Sequence, residues 1–189
     1  MATLSQAQAT TILRNLGWRI RSTNEFHNVV KRFQSGWNLG TALSVDGNVG
    51  PKTSAAMLLS ESRRRAKKPT ASAHYSFSEM ACRCRGSYSS CARIWTHRAC
   101  FQMMEKYRAR AGAYAIVSPC RCPSENKSVG GSATSQHLTG YAVDVPAVYS
   151  VSTVRSWKTG ATHYGYGSVS RKVKHIDCSA GSAIYVDGR

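Results

Sequence analysis

The chain has 189 residues, 42% of them hydrophobic and 19% charged, a globular composition with room for one medium domain or a small domain beside a compact one. No apolar run approaches the roughly 18 residues that a membrane span requires, so membrane insertion is not expected. Lys and Arg number 26 against nine Asp and Glu, giving a formal charge of +17, which implies a polyanionic partner without naming it. In chain order, residues 9–18 (ATTILRNLGW) and 24–37 (NEFHNVVKRFQSGW) place apolar side chains at helical spacing, the second with Asn24 as N-cap. Asp46-Gly47 and Gly50 then mark turns, and Pro51 starts a third helix running to about Arg65. The stretch RRRAKKPTASA is basic, lacks hydrophobic periodicity and is expected to be a linker over 65–73.

From residue 74 the pattern changes. Ser78 is expected to cap a short helix, and ARIWTHRACFQMMEKYRARAG to form a long helix ending at Gly112. AYAIVSP, YAVDVPA and VKHIDC read as strands by their β-branched and alternating content, with a helix near 151–160. The expected fold class is α+β: three helices in residues 1–64, then a domain over 74–189 built on a central antiparallel sheet.

Seven cysteines cannot all pair within one chain. Cys82-x-Cys84 and Cys120-x-Cys122 are closer than structural zinc sites usually place their ligands, so the cysteines are read as small buried residues or as partners in an occasional disulfide, with a structural zinc site as the less favoured alternative.

The chemistry concentrates in SQHLTGYAVDV and VKHIDC. In a strand over 141–145, Tyr141, Val143 and Val145 face one way and Ala142 and Asp144 the other; in VKHIDC the same alternation puts Val173, His175 and Asp177 on one face. A carboxylate among Ala, Val and Pro is costly to bury without a cation or strong donors. Two imidazoles and one carboxylate suit zinc with a fourth position open to water, although satisfied structural histidines and a strand-capping Asp remain an alternative at this point.

Ser135-x-His137, Gly140, Asp144 and the later His175, preceded by SPCRCPSENKSVGG, resemble the zinc D-Ala-D-Ala carboxypeptidase and peptidoglycan endopeptidase family over residues 74–189. The resemblance implies Zn2+ held by His137, Asp144 and His175, Arg121 gripping a substrate carboxylate or carbonyl, and Ser135 orienting a ligand or turning the chain. Many members carry an acidic base three residues before the second histidine, where this chain has Lys172; Asp177 is therefore the expected base, with Glu125 and His163 as weaker alternatives. Residues 1–64 resemble a three-helix peptidoglycan-binding domain through Phe33-Gln34 and Asp46-Gly47-x-x-Gly50-x-x-Thr53. The pairing resembles a bacteriophage endolysin. No secretory signal is recognisable, so the expectation is synthesis in the host cytoplasm and holin-type release onto the wall.

The expected partners are peptidoglycan and anionic wall polymers, for a monomer that cuts wall peptides; which bond is cut is not legible. A zinc-containing wall binder that has lost catalysis is the alternative. A nucleic-acid binder is disfavoured, since aromatic residues are not interleaved with the basic clusters.

Overall fold

The computed structural model describes residues 3–89 and 91–187. Three helices open the chain: α1 (Gln6–Asn15), α2 (Thr23–Gly36) and α3 (Pro51–Arg65). Ser5 and Gln8 form a reciprocal capping box on α1, and Ser22, not Asn24, caps α2 by accepting from the Glu25 amide. Pro51 begins α3, where its missing N–H costs nothing.

The turn joining α2 to α3 is organised by one buried side chain. Gln34 Nε2 donates to Asp46 Oδ1 (2.8 Å), the Asn48 carbonyl (2.9 Å) and Thr53 Oγ1 (3.1 Å), while its Oε1 accepts from the Gly47 amide (2.9 Å). The residues of the Phe-Gln and Asp-Gly-x-x-Gly-x-x-Thr pattern thus meet around Gln34. Gln34→Leu leaves the Gly47 amide without its side-chain acceptor and should cost about 1–3 kcal/mol of stability in urea unfolding.

A short 3-10 helix (Phe77–Met80) follows, capped by Ser76 and Glu79 rather than by Ser78. Phe77 lies against Trp18 (ring centroids 4.6 Å), Phe33 (5.4 Å) and Phe101 (5.9 Å), so one buried core runs from the first helices into the second half of the chain. The basic 65–73 stretch, expected as a linker, is packed at its C-terminal end. Ala71 and Ser72 are fully buried, the Thr70 carbonyl accepts from Ser60 Oγ, and Ser72 Oγ donates to Glu105. Its small side chains allow that close passage, while Lys67 and Lys68 stay exposed.

Helix α4 (Arg98–Ala111) ends at Gly112 as expected but begins well after Ala92. Its start is set by His97, whose ring stacks on Tyr141 at 4.1 Å and whose Nδ1 lies 2.6 Å from Ser35 Oγ. Two six-residue helices follow, α5 (Pro123–Ser128) and α6 (Val151–Ser156).

The strands are β1 (Ala142–Asp144), β2 (His163–Gly167), β3 (Val173–Asp177) and β4 (Ala183–Asp187), in the order β1-β3-β2-β4. The fold is α+β. The centre of the sheet is antiparallel as expected, β3 pairing with β1 and β2, and β4 adds parallel to β2 at the edge, which makes the whole sheet mixed. AYAIVSP contributes only a single bridge, Ser118 to Asp144, instead of a strand. The register sets Asp144, His175, Gly165 and Tyr185 in one row across the sheet, and Ala142, Asp177, His163 and Ala183 in the next. Alternation puts both rows on one face, with Val143, Ile176 and Tyr164 buried on the other. Among the described residues no helix is long and apolar enough to cross a membrane.

Candidate metal centre

His137 is carried by the turn after Ser135. The Ser135 hydroxyl accepts weakly from the His137 amide (3.4 Å) and its carbonyl accepts from the Leu138 amide, so the serine shapes the turn while also lining a cleft. Gly140 closes the turn at φ +83°, its carbonyl accepting from the His97 amide; a Cβ there would sit 2.2 Å from the Trp95 carbonyl oxygen. Backbone cannot yield as a side-chain tip can. Gly140→Ala should therefore destabilise the fold by several kcal/mol, about 3 or more, and lower the thermal midpoint even with metal in excess.

Three atoms converge. His137 Nε2 lies 2.9 Å from Asp144 Oδ1 and 3.0 Å from His175 Nδ1, and His175 Nδ1 lies 3.0 Å from Asp144 Oδ1. The outer partners decide where the protons are. His137 Nδ1 is 2.7 Å from the Pro119 carbonyl, which can only accept, so that nitrogen carries the hydrogen of the neutral ring. His175 Nε2 is likewise 3.1 Å from Asp177 Oδ2 and donates to it. In their neutral forms, then, both rings aim lone pairs at a carboxylate oxygen, an arrangement that requires a cation. A tetrahedral zinc spaces such ligands about 3.3 Å apart, a few tenths of an ångström more than here, so small side-chain shifts suffice.

The electrostatics agree. Burial opposes the charge on Asp144, but the facing imidazoles of His137 and His175, when a ring is protonated, outweigh it and hold the carboxyl far below the usual carboxylate range. Burial pushes His137 down. It acts in the same direction on His175, yet the flanking Asp144 and Asp177 more than reverse it and raise that imidazole. Without an ion, a proton on His175 supplies the positive charge that the two carboxylates demand; metal displaces it.

Arg121 is buried beside the centre. Its Nε donates to Ser118 Oγ (2.9 Å), one terminal nitrogen to Asn126 Oδ1 (3.2 Å) and the other to Asp144 Oδ2 (2.7 Å). Those contacts brace Asp144, and Arg121, expected to grip substrate, also lines the cleft on that side. Asn126 is held in turn by Gly131, whose amide donates to the Asn126 carbonyl and whose missing Cβ leaves room for the Asn126 side chain.

Asp177 is not placed as a base acting directly on a water at the converging atoms. Its Oδ2 meets His175 Nε2, the nitrogen turned away from them, and its Oδ1 accepts from the Ser179 amide and hydroxyl. Oδ1 also lies 3.1 Å from His163 Nδ1, whose hydrogen-bond partner is Thr162 Oγ1 at 2.9 Å. Burial opposes the charge on Asp177, but the bonds from His175 and Ser179 prevail and keep its carboxyl below the ordinary value.

A cleft opens on each side of the donor set. Asp144 and Arg121 line one of about 570 Å³ with Arg83, Glu125, Pro146 and Lys174. His175 and Asp177 line another of about 650 Å³ with His163, Ser135, Gln136 and Tyr185. Glu125 therefore sits on the Asp144 side and His163 on the His175 side, while Lys172 lines neither. Sequence reasoning missed Arg83, Lys174 and Tyr185. Lys174 follows the strand alternation away from His175, and only the edge of the sheet brings it to the Asp144 cleft.

A buried two-histidine, one-carboxylate set with carbonyl and carboxylate outer partners is the donor set of a mononuclear metallohydrolase. Residues 73–179, more than half of the chain, match the family described as Peptidase M15, and the protein belongs to that family. The family is zinc-dependent. A comparison with curated proteins gives no match.

Proposed function

We propose that the protein hydrolyses peptide bonds in bacterial peptidoglycan, with zinc held by His137, Asp144 and His175. The observation that carries this reading is the convergence of three lone pairs, each backed by a group that fixes its direction. When bound, zinc acidifies a water and polarises the scissile carbonyl. The chain's own residues do the rest. Arg121 keeps Asp144 ionised and aimed. Asp177 orients His175, and Thr162 Oγ1, whose own hydrogen goes to the Ser179 carbonyl, accepts the Nδ1 hydrogen of His163, leaving His163 Nε2 to take a proton from the attacking water and return it to the leaving amine. Arg83, Arg121 and Lys174 make the Asp144 cleft positive, suited to the carboxylates of wall peptides. With a cleft on either side of the donor set a peptide can extend both ways, which favours cleavage within a stem or cross-link over removal of a terminal residue.

The helical N-terminal part fits a wall-binding role. Its sequence pattern is the one gathered around Gln34, and a groove of about 490 Å³ lies between Trp37, Leu43, Pro51 and Leu59. With a charge of +17 drawing the chain to anionic wall polymers, we read it as a monomeric endolysin that reaches the wall after holin-type release and lyses its host. The test is release of new amino groups from purified peptidoglycan, with fragments identified by mass. Activity lost to a chelator and restored by zinc is expected; wall binding without any release at any zinc level would replace this reading with an inactive binder.

A further inference from the structure

Between Met80 and Arg98 the described residues form no helix or strand, yet much of the segment is buried. What gathers there is sulfur. Cys82, Cys84, Cys91 and Cys122 are all buried, and one Sγ from each lies within 4.8 Å of all the others. They form a cluster apart from the main core, flanked by Tyr88 and Trp95.

Each sulfur also accepts a backbone amide: Cys82 from Cys122 (3.3 Å), Cys84 from Gly86, Cys91 from Arg93 and Cys122 from Glu125 (each 3.4 Å). A thiol accepts poorly and a thiolate well, so four such bonds describe sulfurs set up to carry negative charge. The Cys-x-Cys spacing is reconciled by turns. The Arg85 amide donates to the Cys82 carbonyl and the Ser87 amide to that of Cys84, bending the chain through Arg85 (φ +52°) and Gly86 (φ +89°) so that both sulfurs face one point. Arg83, Arg85 and Arg93 on the same loop offset the charge that four thiolates and one divalent ion would leave.

We infer that Cys82, Cys84, Cys91 and Cys122 bind a second, structural zinc ion through four thiolates. A tetrahedral zinc places its sulfurs about 3.8 Å apart, inside the observed limit, and a soft tetrahedral sulfur set selects zinc over hard cations. Binding releases the thiol protons as the Zn–S bonds form, with no change of oxidation state. The ion ties the 82–91 loop to Cys122, the residue next to Arg121. Arg83, between two of the ligands, donates to the Ile116 carbonyl and lines the Asp144 cleft. The second zinc therefore acts as a clip for one wall of the catalytic cleft, remote from the hydrolytic step.

Metal analysis of the full chain should give about two zinc ions per molecule, falling to about one in His137→Ala, where only the sulfur site remains. Cobalt-substituted protein should show thiolate-to-cobalt charge transfer, kept in His137→Ala and lost in Cys84→Ser or Cys91→Ser. Should those variants fail to fold, the wild-type and His137→Ala spectra still decide. Absence of charge transfer in both, disulfides among the four cysteines on alkylation and mass analysis, or iron in place of zinc would overturn the inference. None of these readings depends on peptidase activity.

Discussion

Asp144→Asn should lower peptidoglycan hydrolysis by about three orders of magnitude or more, equivalent to at least ~4 kcal/mol of transition-state stabilisation. The carboxylate has two partners that cannot accept its loss. On Oδ1 it meets the two imidazole lone pairs, where an amide supplies no charge for zinc. On Oδ2 it accepts from the buried Arg121 guanidinium, which then has no counter-charge at 2.7 Å. Breaking a buried pair from one side costs about 3–5 kcal/mol, so the variant should also unfold at lower denaturant than wild type when both are metal-free. A metal-free variant as stable as metal-free wild type would show that Arg121 does not depend on Asp144.

His163→Gln should reduce kcat by roughly 10²-fold or more while leaving zinc content unchanged. The side chain reaches the cleft beside His175 but contributes no atom to the converging set, and its Nδ1 is occupied by Thr162 Oγ1. A proton carrier affects turnover and not the occupancy of the metal. Asp177→Asn acts differently: it loosens His175 and should weaken zinc affinity and activity together by about 10–100-fold. Steady-state kinetics alongside metal analysis separates the two. Unchanged kcat in His163→Gln would return the proton role to Glu125 or to solvent.

Strand alternation made the central pair legible. Asp144 and His175 each sit in a short apolar strand, His175 with Asp177 two positions on, and the register pairs them directly. The sequence also carried the turn chemistry around Gln34, since Asp46-Gly47 and Pro51 are local signals. β2 was not legible: HYGYG has glycines at alternate positions, so its inward row shows no hydrophobic pattern, although Gly165 is what leaves room beside His175 and Tyr185. β4 escaped because Ile184 and Val186 stay about half exposed, without a clear buried face. AYAIVSP looked like a strand from its side chains, but only Ser118 finds a partner. The contacts of Arg121 and Asp177 reach residues 23 and two positions away, respectively; the first lies beyond any local pattern, and the second follows the alternation that puts His175 and Asp177 on one strand face. The cysteine cluster draws on three separated segments, and a Cys-x-Cys spacing argues against itself until the turn is known.

In the proposed reading, His137 Nε2, Asp144 Oδ1 and His175 Nδ1 hold the catalytic ion. Anomalous diffraction at the zinc absorption edge from crystals of the full chain tests it directly. A peak is expected about 2.0–2.2 Å from His137 Nε2, Asp144 Oδ1 and His175 Nδ1, with Arg121 still on Asp144 Oδ2 and Asp177 on His175 Nε2. No peak there in zinc-loaded, active protein, or an ion bound through other side chains, would contradict it.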